Sequence, residues 1–136
     1  LHCIGQGALF NDRIENPYIS HLGFKQPNEM EPYVLAAGIY ALPSLFEPWA
    51  VSVHEMALSA MPMVLSNKVG AASQFLTENN GFKFEAGNQK SLENQLDKIM
   101  KMPDEALWKM AESSFELGQS LTTQNWSDNL LKIYQS

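Results

Sequence analysis

Short apolar runs bounded by proline or glycine alternate with segments of helical periodicity along most of this chain, and that alternation leaves few folds open. Residues 39–42 (Ile-Tyr-Ala-Leu) are almost wholly apolar, as expected of a strand covered on both faces. Pro43 and Pro48 then bracket a loop that can continue neither a strand nor a helix. From Val51 onward, Val51, Leu58 and Met61, with Ala57 between them, recur at helical spacing. The same reading predicts strands at 1–5, 18–22, 39–42, 63–66 and 81–84. It predicts helices at 29–37, 51–60, 71–76, 92–102, 105–118 and 124–134. Strand alternating with helix implies an α/β chain with a doubly wound, parallel, Rossmann-like sheet. Ser91 and Asp104 read as helix N-caps and Gly118 as a helix stop. In the last helix Trp126, Leu130, Ile133 and Tyr134 form an apolar stripe, for which a core contact is the default.

Composition narrows the class of function. A length of 136 residues is one domain's worth and can bury a core. The 45% apolar and 18% charged residues are globular values. A net charge of −6 without any Lys/Arg cluster argues against a nucleic-acid surface. The single cysteine, Cys3, cannot form an internal disulfide and fits a reducing compartment. No stretch approaches the roughly 20 apolar residues of a membrane span, and the longest, 33–46, is broken by Gly38, Pro43 and Ser44. The expected setting is cytoplasmic.

Glu47 and Glu55 are the candidate functional pair. Glu47 lies just before the helix that starts near Val51, and Glu55 lies about one turn into it. Both fall near the carboxyl end of a strand, the edge at which open α/β sheets bind ligands. Free N–H groups across Pro48, Trp49, Ala50, Val51 and Ser52 would point toward the same space, a seat for a phosphate or pyrophosphate. Carboxylates beside that seat suit ligand hydroxyls, as an acidic residue holds a ribose in dinucleotide folds. Two solvated glutamates stabilised by the helix dipole are the plainer reading, and spacing alone leaves both open.

The surrounding residues carry a resemblance. Leu42-Pro43-Ser44-Leu45-Phe46-Glu47-Pro48-Trp49, Glu55-Met56-Ala57 and Met61-Pro62-Met63-Val64-Leu65-Ser66 resemble the donor-site stretch of retaining GT-B glycosyltransferases of family 4 (glycosyl transferases group 1). That pattern is a Pro-Ser strand end, a glutamate, seven residues, a second glutamate and a Pro-Val strand. The likeness continues in Ile4-Gly5-Gln6-Gly7 and Ile19-Ser20-His21-Leu22-Gly23-Phe24, and downstream in Val69-Gly70-Ala71-Ala72 and Asn80-Gly81-Phe82-Lys83-Phe84. It runs in order over roughly residues 1–100, and the helical tail is compatible; the resemblance implies a final helix that crosses to the other lobe, which would leave part of its apolar stripe exposed in this chain. There are departures. Ala50 and Ala60 stand where the family usually has Gly, Gln74 where a Glu often follows, and Ala71 and Ala72 thin out a glycine pair. A Cβ at position 50 would crowd a phosphate-facing backbone or force φ negative.

The resemblance implies residues 1–136 are part of the C-terminal, nucleotide-sugar-binding lobe of a GT-B fold, N-terminally truncated, with a helical tail from about 104. The acceptor lobe, and a first strand and loop bearing Arg and Lys, are expected outside the chain. Glu55 would accept hydrogen bonds from ribose hydroxyls, while Glu47 would hold hydroxyls of the donor sugar and orient its anomeric carbon. Gly5, Gln6 and Gly7 would face the nucleotide, and the loop 23–28, with Gly23, Phe24 and Lys25, would form a lip over the base. A tight turn and a simple βα loop are their plainer readings. Lys68 is the basic residue expected near the diphosphate, against the plain reading of a surface lysine. His54 should point about 100° around the helix from Glu55. His2, Cys3 and His21 lack ligand spacing, and no Asp-x-Asp occurs, so no metal or other cofactor is expected. The implied activity is transfer of a sugar from a nucleotide sugar with retention, in cell-surface polysaccharide or glycolipid synthesis, in the cytoplasm or at the inner face of the membrane. The alternatives are a non-catalytic domain of the same fold and a nucleotide-sugar epimerase.

Overall fold

His2–Ile4 and Ser20–Gly23 form the first two strands, β1 and β2, of a computed structural model that describes residues 1–135. Ser136, the end of the expected tail, lies outside the described residues. The two strands pair in parallel, His2 opposite Ser20 and Cys3 opposite His21. A bulge then brings Ile4 opposite Gly23. Between them Ala8–Asp12 forms a 3-10 turn that the sequence reading lacked. Helix α1 (Pro27–Leu35) starts two residues before the expected position. Pro27 occupies its first turn, and the Gln26 N–H is held by the Glu29 carboxylate at 2.8 Å. These elements make up one compact unit, Leu1–Ala37, and a second unit begins at Gly38.

The second unit contains β3 (Tyr40–Leu42), α2 (Val51–Leu58), β4 (Met63–Ser66), α3 (Ala72–Phe75), β5 (Gly81–Phe84), α4 (Gln89–Met100), α5 (Asp104–Gln119) and α6 (Thr123–Gln135). Its sheet is parallel in the order β3-β4-β5, with Tyr40 opposite Met63 and Met63 opposite Gly81. Central β4 is buried along its whole length, which explains its unbroken apolar run of Met63, Val64 and Leu65. Val64 packs with Phe84 and with Ile99 of α4. By alternation Met63 and Leu65 face the other side of the sheet. Helix α2 packs on α5 and α3.

Three expected helix boundaries are corrected. Asn88 caps α4, its side-chain oxygen accepting the Ser91 N–H at 2.9 Å, so Ser91 lies inside the first turn. Pro103 precedes α5, and Asp104 is its first residue, where a carboxylate suits the helix dipole. Gly118 does not stop α5. A Cβ there would sit 2.7 Å from the Leu58 nitrogen, so glycine is what lets α5 approach α2. A buried polar network ties these layers: the Asn80 amide donates to Phe75 O at 2.8 Å and to Ser114 Oγ at 3.0 Å, and Ser114 donates to Met61 O at 2.7 Å. The α6 stripe is not core, since Trp126, Leu130 and Tyr134 are exposed. Among the described residues no helix is long and apolar enough to cross a membrane.

Candidate functional site

Ser66, at the carboxyl end of β4, fixes the loop that leaves β3. Its buried hydroxyl donates to Ser44 O at 2.6 Å and accepts the Lys68 N–H at 3.2 Å. The loop is then laced to residues 68–71. Glu47 N–H donates to Lys68 O at 3.0 Å, Gly70 N–H to Glu47 O at 2.9 Å, and Ala71 N–H to Trp49 O at 2.8 Å. Glu47 and Val69 also form an isolated parallel bridge. Gly70 permits this contact, because a Cβ there would lie 1.9 Å from Pro48 O. Ala71 and Ala72 are buried and tolerate their methyl groups. The glycine this loop needs is Gly70.

The lacing delivers the chain to the start of α2 in an unusual conformation. Ala50 has φ 72° and ψ 87°. The expectation that alanine would force a negative φ is therefore corrected: the neighbouring hydrogen bonds hold the left-handed geometry. Such a conformation costs an L-residue roughly 1–2 kcal/mol. Ala60, at φ 55°, does the same after α2, which ends at Leu58, two residues before the predicted end.

The set of free donors is smaller than the sequence suggested. Pro48 has no N–H, Trp49 N–H donates to Glu47 Oε1 at 3.2 Å, and Val53 N–H to Ala50 O at 3.0 Å. Among the described residues no acceptor takes the N–H groups of Ala50, Val51 and Ser52. Glu47 is half-buried and Glu55 exposed, and neither is ion-paired among the described residues. Tyr40, on β3, reaches the first turn of α2. Its phenol oxygen is 2.8 Å from Ser52 Oγ. Burial pushes its pKa above the ordinary value, the Ser52 hydrogen bond opposes that shift, and the charges of Glu55 and Glu47 add to it.

Other predicted residues divide. Trp49 sets its ring edge-on to Phe75, centroids 6.3 Å apart, so its side chain is a packing element as well as part of the loop. His54 stacks on Phe75 at 4.6 Å and donates through Nε2 to Gly118 O at 2.9 Å, a packed histidine. Lys68 is exposed beside the Glu47 loop, and its ammonium has no partner among the described residues. In the first unit Gly5 N–H donates to Gly23 O at 2.8 Å, which sets the turns after β1 and β2 side by side. Gly7 starts the 3-10 turn, with Gln6 exposed before it. Phe24 is exposed, and the Lys25 ammonium lies 5.8 Å over the Tyr33 ring. No group of three His, Cys, Asp or Glu among the described residues could hold a metal ion. Tyr40 was missed, while Ser66 and Gly70 stood in the sequence only as parts of the resembling stretches, with no role given to either. Gly70 also carried a local signal, a glycine between two apolar positions after a strand.

Residues 15–116 match the family of glycosyl transferases group 1. The chain belongs to that family. Its match includes Glu47, Glu55, Lys68 and the 23–25 turn, while Gly5 to Gly7 precede it. Three solved structures share the fold of this glycosyl transferases group 1 chain. Sucrose-phosphate synthase from Thermosynechococcus elongatus matches with TM-score 0.74 and 19% identity, over 86% of this chain and 29% of that one. TarM matches with TM-score 0.76 and 18% identity, over 99% of this chain and 28% of that one. A glycosyltransferase from Rickettsia africae ESF-5 matches with TM-score 0.71 and 17% identity, over 88% and 32% respectively. The α/β fold with parallel sheets is thus that of GT-B glycosyltransferases, and the chain spans about 30% of these structures' length. No curated protein matches the chain.

Proposed function

We propose that this chain is the donor-binding, C-terminal lobe of a retaining family 4 glycosyltransferase, which moves a sugar from a nucleoside diphosphate sugar to an acceptor. The observation that carries the proposal is the loop 47–52 inside the family match, where two carboxylates flank three backbone N–H groups that have no acceptor among the described residues. In this reading Glu55 accepts hydrogen bonds from the ribose hydroxyls. Glu47, held by the 68–70 backbone, grips hydroxyls of the donor sugar and orients its anomeric carbon. The N–H groups of Ala50, Val51 and Ser52, with Lys68 nearby, meet the diphosphate as its charge grows on departure. Attack on the same face, assisted by the leaving phosphate, gives retention without a side-chain nucleophile. The turns at Gly5-Gln6-Gly7 and Gly23-Phe24-Lys25 serve the nucleotide.

The family match favours transfer over the epimerase and non-catalytic readings. The acceptor lobe and the basic diphosphate loop belong to the rest of the protein, and the product is a cell-surface polysaccharide or glycolipid made at the cytoplasmic side. Incubating the full-length protein with a panel of nucleotide sugars and acceptors, and reading the anomeric configuration of the product by NMR, tests this. Transfer with retention that survives EDTA is expected, with none from the 136-residue chain alone. An inverted product, activity lost to EDTA and restored by Mn²⁺ or Mg²⁺, or turnover by the isolated chain would contradict it.

A further inference from the structure

We propose that Tyr40 is a positioning residue for the donor's diphosphate: its phenol donates to Ser52 Oγ and so leaves the Ser52 hydroxyl proton for an anionic oxygen at the start of α2. The inference rests on the donor-site reading above. Tyr40 Oη and Ser52 Oγ are 2.8 Å apart and partly buried, and either oxygen could supply the shared proton. Two hydroxyls joined by one hydrogen bond keep one proton to give away. Beside Glu47 and Glu55 alone, that proton could serve a carboxylate. A diphosphate changes the balance, because it only accepts and the Ser52 N–H, free among the described residues, is already a donor to the same space. The order Tyr40 to Ser52 to phosphate then aligns every donor with an acceptor. It requires a phenol that stays protonated, and burial together with the two carboxylates raises its pKa, the Ser52 hydrogen bond opposing. Residue 52 would thereby offer two donors, N–H and Oγ–H, to one anion.

A double-mutant cycle in the full-length protein tests this, with a nucleoside diphosphate and its parent nucleoside titrated by calorimetry. Tyr40→Phe and Ser52→Ala are each expected to raise the diphosphate Kd about five- to tenfold. The double variant should lose no more than either single one. The nucleoside Kd should stay unchanged in all three, a split that a merely structural role for Tyr40 would not produce. Equal losses for diphosphate and nucleoside, or a Tyr40→Phe loss that persists in the Ser52→Ala background, would overturn the inference; the second result would make Tyr40 a partner of Glu47 or Glu55 instead. Glu55→Gln separates the two levels. If it weakens binding while Tyr40→Phe does not, the donor site stands and the inference falls. A wild-type protein that binds neither ligand refutes the donor-site reading itself.

Discussion

Ala50 keeps φ at 72° where three backbone hydrogen bonds link residues 47–49 to residues 68–71 just before the turn into α2. Glycine at this position would remove roughly 1–2 kcal/mol of left-handed strain and add about 0.5–1 kcal/mol of chain entropy cost. Strain is the larger effect. Ala50→Gly is therefore expected to stabilise the protein by about 0.5–1 kcal/mol in urea unfolding, and a loss of stability would show that the turn is not held as described. Gly70→Ala is the opposite case. Its Cβ would lie 1.9 Å from Pro48 O, so the Glu47 loop must move, at a cost of about 1–3 kcal/mol.

At the level of elements, the network around Asn80 joins β4, α3 and α5. Asn80 and Ser114 are fully buried, and every polar atom of the pair has a partner. Asn80→Ala would leave Thr77 N–H and Phe75 O without their partner. An expected loss of about 2–3 kcal/mol in urea unfolding follows from the penalty for buried unsatisfied groups. A loss under about 0.5 kcal/mol would mean that water reaches these groups. The sequence made the strands Met63–Ser66 and Gly81–Phe84 legible to the residue, because each is a short run between breakers, Pro62 before one and Asn80-Gly81 at the other. It misplaced the features that depend on contacts made across the chain. Gly118 reads as a stop signal until Leu58 is packed against it, and Ser91 reads as a cap until the Asn88 side chain accepts its N–H. The site follows the same division. Glu47 and Glu55 stood out because motif order and spacing are linear properties. Tyr40 lay hidden in an apolar run, since nothing local ties it to Ser52, 12 residues on.

Over the whole molecule, the family match runs through both compact units, from residue 15 to 116, and α6 lies beyond it with Trp126 and Leu130 exposed. In the donor-binding function proposed above, the two glutamates of one loop and helix have separate tasks. Calorimetric titration of the full-length protein with a free nucleoside diphosphate addresses it most directly. Glu55→Gln should weaken binding about ten- to hundredfold, the loss of a charge-assisted hydrogen bond of about 1.5–3 kcal/mol to the ribose. Glu47→Gln should leave that affinity nearly unchanged, because its proposed partner is the sugar, and should lower turnover instead. Equal losses in the two variants, or none for Glu55→Gln, would contradict the assignment and leave the pair as a charged helix start.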